Sequence, residues 1–242
     1  LVDYAAARRA LSGRRALRVQ PGLWLAWLVI LLAIGAALAP ALFTAWSATD
    51  GIAGAQRLAP QAEHWLGTDQ LGRDLWARMV YGASASLSAA LIAVAMGLTA
   101  GTALGVLAGA SGGKTEMLMM RAVDVLLAIP SLLLSLSVLI LLGFGTLHAA
   151  LAVGVASIAS FARLARGEVV RIRHSDYVEA AFGSGGTFFA VLRRHILPNA
   201  LTPVIAFAAL QFGQAILALS TLSFLGYGTP PPAPEWGLLI DR

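Results

Sequence analysis

Five long apolar runs leave this chain little choice of environment. They are Leu23 to Trp46, Ala83 to Ala110, Met117 to Leu142, His148 to Leu164 and Leu201 to Leu225. An α-helix of about 20 mostly apolar residues crosses the hydrocarbon layer of a bilayer. No water satisfies the backbone there, and helices make their hydrogen bonds internally. The expected fold class is therefore all-α, a polytopic transmembrane helical bundle with five visible spans. The fourth run is the shortest and holds Ser157 and Ser160, which predicts that its neighbours shield it. The first run is too long for a signal-peptide core and lacks a clear cleavage site, so it reads as a retained span.

Apolar residues make up 58% of the chain and charged residues 12%, where a soluble domain carries about 25% charged. There is no cysteine, which excludes disulfides and thiolate metal sites. The net charge of +5 is explained by its placement. With the N-terminus inside, 13 Lys and Arg fall in cytoplasmic pieces and 4 (Arg57, Arg73, Arg78, Arg242) outside. That bias fits the positive-inside rule and calls for no nucleic acid, only membrane lipid. The same orientation puts the polar stretch between the last two runs in the cytoplasm. The expected organisation is a cytoplasmic basic segment 1–22, a first span 23–46, an extracytoplasmic segment 47–82 and a membrane core 83–242.

The polar stretch from Asp176 to Pro198 reads as two short helices. Asp176 is placed to cap the first, with Glu179 three residues later as in a capping box. Gly183, Gly185 and Gly186 break it. Thr187 caps a second helix carrying Phe188 and Phe189, with Arg193, Arg194 and His195 in its last turn, favourable at a C-terminus. Apolar side chains on such a loop suit a plug for a groove on a soluble partner.

Glu179-Ala180-Ala181, with Gly185 and then Ile196-Leu197-Pro198, is similar to the EAA loop of permease subunits of binding-protein-dependent ABC importers. The resemblance extends to Leu66-Gly67-Thr68-Asp69 with Gly72-Arg73-Asp74, to Met120–Asp124 with Ile129–Leu134, and to Ser223-Phe224-Leu225-Gly226 with Pro234–Gly237. Together these resemble the second permease of dipeptide, oligopeptide and nickel importers. One departure is Phe182-Gly183-Ser184, where relatives more often have helix formers. The resemblance implies an inner-membrane permease core whose loop 167–200 docks an ATPase through Glu179, Ala180, Ala181, Gly185, Arg193 and Pro198. It implies a second permease subunit, two ATPase subunits and an extracytoplasmic substrate-binding protein as partners. It also implies a sixth span beyond Arg242. The cargo is peptide, or alternatively nickel or a metal chelate. The segments 46–81 and 226–242, stiffened by Pro230 to Pro234, are expected to face the binding protein.

No Gly-x4-Gly-Lys-Ser/Thr phosphate loop is present, so ATP and Mg belong to the partner ATPases, and this chain itself is read as non-catalytic and free of cofactor. The four histidines lack ligand spacing, so no metal site is expected. Gly97, Gly101, Gly105 and Gly109 share one helix face, either for close intrachain packing or as a sliding face. Asp124 is expected to pair with Arg121 one turn away, and Pro130 to bend the third span. Ser131 with Ser135, and Gln211 with Gln214, share helix faces that either line a path for a polar solute or bond between helices. Asp69 and Asp74 have no partner acid or nucleophile, and a turn followed by a surface amphipathic helix through Trp76, Met79 and Val80 is the plain reading. The rival class, an ion-driven transporter or channel, would want ionisable residues mid-membrane, and the apolar runs hold few away from their ends.

Overall fold

The computed structural model describes residues 21–240, and its regular structure is helical. Most of the basic segment 1–22, and Arg242, lie outside the described residues. Helix α1 spans Pro21–Leu38 and stops just before Pro40. Helix α2 runs Leu75–Ser111, α5 runs Thr146–Arg173 and α7 runs Phe188–Tyr227. Each of these four is long and apolar enough to cross a membrane. Helices α3 (Gly113–Ala128) and α4 (Ser131–Leu142) form a fifth, broken unit. Helix α6 is short, Asp176–Gly183.

The break between α3 and α4 is larger than one bent span would give: the two halves meet at 95°. Pro130 has no N–H to donate, and its ring drives the preceding residue out of the helical region. Ile129 is accordingly extended, at φ −87° and ψ 129°. Helix α3 therefore ends at Ala128 and a new helix starts at Ser131. Another expectation also fails. Asp124 pairs not with Arg121 but with Arg163 of α5, at 2.5 Å. Tertiary packing brings the α5 arginine closer than the helical neighbour.

Helix α5 sits at the centre, packed against α2, α3, α4 and α7. Its buried face is mostly alanine, with Phe161 the largest member and stacked edge-on against Phe207 of α7. Lipid supplies no hydrophobic drive between helices, so close packing of small residues must hold them. The four glycines of α2 serve that contact. A Cβ on Gly97 would sit 2.0 Å from Ser157 Oγ, on Gly101 2.5 Å from the Ile158 carbonyl, on Gly105 2.3 Å from the Ala162 carbonyl and on Gly109 2.9 Å from Val169. The wide π turn at Gly97–Gly101 lies within this seam.

Helix α1 is peripheral. Ala36 is its one buried residue, set against Val80 and Ala83 of α2, while Trp24, Leu28 and Leu31 are exposed as lipid-facing side chains would be. Trp76, Met79 and Val80 are not a separate surface helix. They form the first turns of α2, which runs on through Gly82 without a break. Val80 is buried, and the Trp76 indole donates to the Phe43 carbonyl at 2.9 Å.

Candidate functional site

Two ends of the bundle and one cavity between them hold the candidate residues. At one end, α5 delivers a basic last turn. Arg166 pairs with Glu116 of α3 at 2.5 Å, and Arg173 donates to the carbonyls of Gly109 and Ala110 at the end of α2. The cap of α6 is Ser175, not Asp176. The Ser175 carbonyl accepts from Val178 and Glu179, and its hydroxyl donates back to Ile172. Asp176 and Glu179 make no capping hydrogen bond, but both lie in the first turn, where the helix dipole favours negative charge.

Helix α6 is held by one buried side chain, Val178, which joins Val169, Ile172, Val191, Ile196 and Ala200 in a small core. The chain then reverses through Gly185, at φ +88°, a region that glycine enters freely. The Gly186 N–H donates to Ala181, and a Cβ there would lie 2.7 Å from that carbonyl. Of the residues singled out by the EAA pattern, Glu179, Ala180, Gly185, Arg193 and Pro198 are exposed and Ala181 is half-buried. Tyr177, Phe182, Phe188 and Phe189 are exposed beside them, Phe189 by 79%. Of these four, Tyr177 and Phe182 carried no signal beyond being aromatic.

The second short helix does not end at Arg193 to His195. It continues without a break into α7, through a π turn at Leu192–Ile196. Pro198 explains the turn: it has no N–H for the Arg194 carbonyl, and its ring needs room there. The Asn199 side chain donates to the His195 carbonyl at 2.7 Å instead.

A cavity of about 640 Å³ lies among α2, α4, α5 and α7. Ser131, Ser135, Gln211 and Gln214, which the sequence placed on two separate helix faces, all line it. Ser157, Ser160 and Thr221 line it as well. Their signal was the three-residue spacing of the two serines in α5, which reads equally as a face needing shelter.

The opposite end carries a buried knot of charge that the sequence reading missed. Asp69 accepts from Arg73 Nε at 2.7 Å and lies 3.7 Å from Arg78 Nε, and His64 Nδ1 lies 2.8 Å from Asp74. Asp74 also caps α2, accepting from the Ala77 N–H at 2.7 Å. Arg78 donates to the carbonyls of Ala48 and Pro232. Burial pushes the Asp69 carboxyl up, but hydrogen bonds from the Arg73 side chain, from the Arg73 and Leu71 N–H groups and the Arg73 charge outweigh it. The net effect holds Asp69 below its ordinary value. Pro231 and Pro232 form a turn rather than an extended run, and Glu235 is buried, accepting from the Thr229 N–H at 2.9 Å. Trp236 closes this segment onto α2, donating to Ser86 Oγ and the Met79 carbonyl.

Residues 101–241 match the family of binding-protein-dependent transport system inner membrane components. The chain is 39% identical over 183 residues to a glutathione transport system permease protein of Pectobacterium atrosepticum, covering 76% of this chain and 61% of the relative. It is 42% identical over 182 residues to a dipeptide transport system permease protein of Alkalihalophilus pseudofirmus, covering 75% and 60%. It is 40% identical over 186 residues to a probable D,D-dipeptide transport system permease protein of Escherichia coli, covering 77% and 62%. The chain thus spans about three fifths of the length of these relatives. A solved amino acid ABC transporter with histidines shares the fold at a TM-score of 0.51 and 19% identity, over 64% of this chain and 72% of that one.

Proposed function

The chain belongs to the family of inner membrane components of binding-protein-dependent transport systems, and on that premise we propose that it forms half of the translocation path of an ATP-driven peptide importer. Its multi-pass helices lie in the inner membrane, with the N-terminus and the α6 surface in the cytoplasm. Peptide cargo is supported by relatives named for dipeptides. The partners are a second permease subunit, two ATPase subunits and an extracytoplasmic binding protein. ATP hydrolysis belongs to the ATPases, and this chain contributes no catalytic group.

The observation that carries the reading is the α6 surface. A charge, small residues, Tyr177 and Phe182 stand exposed on a short helix fixed to the bundle by Val178, with Phe188 and Phe189 exposed beside them at the start of α7. Exposed apolar side chains rimmed by polar ones mark a docking site. Movement of a bound ATPase is thereby passed to α5 and α7, which frame the cavity. Nucleotide shifts the equilibrium between inward- and outward-open states only through its different affinity for the two.

The test uses Glu179→Ala, Gly185→Ala and Gly185→Trp in the reconstituted complex. Either residue at position 185 strains the positive φ by about 1 kcal/mol. Among the described residues beyond its chain neighbours nothing lies within 4 Å of a Cβ there, so the two substitutions share the same backbone strain and differ in bulk. The expected outcome is uptake and transport-coupled ATPase activity falling together, at least about tenfold further for Gly185→Trp than for Gly185→Ala, with assembly intact by pull-down. Glu179→Ala is expected to weaken coupling in the same way. Wild-type coupling in Glu179→Ala and Gly185→Trp sinks the proposal.

A further inference from the structure

The cavity among α2, α4, α5 and α7 has a largely apolar wall interrupted by uncharged polar side chains. No Asp, Glu, Lys, Arg or His stands among the described residues that line it. Its volume of about 640 Å³ falls within the range of sites for small organic molecules, about 300–1,000 Å³.

The direction of its hydrogen bonds is fixed by chemistry. Ser135 Oγ lies 2.8 Å from the Ser131 carbonyl, Ser157 Oγ 2.8 Å from the Gly154 carbonyl and Thr221 Oγ1 2.8 Å from the Leu217 carbonyl. A carbonyl only accepts, so each hydroxyl proton is committed to its own helix. At these three positions only oxygen lone pairs remain for a solute, whereas Ser131 and Ser160 keep their hydroxyl protons. Gln211 and Gln214 differ. Their side-chain amides make no hydrogen bond to the described residues, and each offers both N–H donors and a carbonyl acceptor.

We propose that this cavity selects solutes of zero net charge that carry both N–H and carboxylate or carbonyl groups, as a zwitterionic peptide does, and discriminates against a net charge of either sign. The hydroxyl oxygens receive the N–H groups and the glutamine amides receive the carbonyl or carboxylate. A zwitterion brings its own counter-charge. An ion of one sign finds none in this wall, and an unpaired charge taken out of water is strongly disfavoured. Pores that pass ions of one sign are lined by rings of the other. A bare divalent cation has neither carboxylate nor imidazole to replace its water here. The proposal rests on the cavity being part of the translocation path.

The absence of cysteine allows a direct measurement. Ser160→Cys places one thiol in the cavity wall, Ala156→Cys serves as a second reporter, and Gln70→Cys, on the exposed surface, serves as reference. Each is placed in the assembled complex, with and without trapped nucleotide. Each is treated with the 2-hydroxyethyl, 2-(trimethylammonium)ethyl and 2-sulfonatoethyl methanethiosulfonates, and labelling of this chain is followed by mass. Comparing reagents at one thiol cancels that thiol's own reactivity. The expected result is that both charged reagents slow relative to the neutral one by about tenfold at Ser160 and Ala156, normalised to Gln70, roughly the factor of one charge-assisted hydrogen bond. Gln214→Glu then restores the cationic reagent alone, and Gln214→Lys the anionic one alone. Relative rates equal to those at Gln70, slowing of one sign only, or failure of the Gln214 variants to restore either reagent overturns the selectivity and leaves the path standing. A thiol at Ser160 and at Ala156 that no reagent reaches in any nucleotide state overturns the path and the selectivity together.

Discussion

Asp69 has its side chain fully shielded from solvent and holds two guanidinium groups, those of Arg73 and Arg78. Removing one partner of a buried ion pair leaves the others uncompensated, which destabilises by about 3–5 kcal/mol. Asp69→Asn is therefore expected to lower the melting temperature of the purified complex sharply. Asp124→Asn, whose pair with Arg163 is more than half exposed, is expected to change stability by less than about 1 kcal/mol. The pH dependence has a definite sign. The folded Asp69 carboxyl lies below its ordinary 3.8. Its stabilisation is thus fully present above that value and is lost as the pH falls through the lower folded value. The wild-type melting temperature should carry an acid limb below about pH 4 that Asp69→Asn lacks. A melting curve for the variant that matches wild type across this window contradicts the assignment. None of this was legible in the sequence. The sequence shows two carboxylates in a turn, and only the packing of Ala48 and Pro232 around Arg78 encloses them with their arginines.

At the scale of elements, the glycine seam between α2 and α5 makes the sharpest prediction. A Cβ at Gly101 meets the Ile158 carbonyl at 2.5 Å and Phe161 Cβ at 2.6 Å, both closer than side chains pack. Gly101→Ala forces the helices apart, and overpacking of this kind costs about 1–3 kcal/mol. Gly167 lies in α5 with nothing within 4 Å of its Cβ position. Gly167→Ala is expected to be neutral or to stabilise by up to about 1 kcal/mol, through helix propensity. Thermal inactivation of the two variants, measured side by side, checks both signs. The four-residue glycine spacing was legible because it matches one helical face. The partner face was not, because α5 lies more than forty residues away in sequence and its alanines give no direction. The bend at Pro130 was legible in position but not in size. Proline removes one hydrogen bond, while the 95° angle is set by what α3 and α4 pack against.

For the whole molecule, the orientation follows from charge and remains to be measured. Single cysteines at Thr115 and Ser184 lie at the α6 end, and one at Gln70 lies at the opposite end, exposed. Thr68 and Glu235 are poorer sites, both being buried. With the N-terminus inside, an impermeant thiol reagent added to intact cells is expected to label Gln70→Cys and to spare Thr115→Cys and Ser184→Cys until the membrane is opened. Labelling of Ser184→Cys from outside reverses the topology. Four of the five expected spans were legible because bilayer thickness dictates the length of an apolar run, while the run from Met117 to Leu142 is a fifth only if its two halves, set at 95°, count as one. The cavity was half legible: pairs of polar residues on one face were visible, but their convergence depended on how four helices pack.

The bridge from Arg78 to the Pro232 carbonyl joins residues 154 apart in sequence. Ribosomes extend a chain by about 5–20 residues per second, so roughly 8–30 s separate the synthesis of these two residues. Through that interval Arg78 is already synthesised while the carbonyl that completes its surroundings does not yet exist. The knot at this face accordingly cannot close until Pro232 has been made. A nascent chain held up short of Pro232 exposes the open knot to whatever inspects newly inserted membrane proteins on that side.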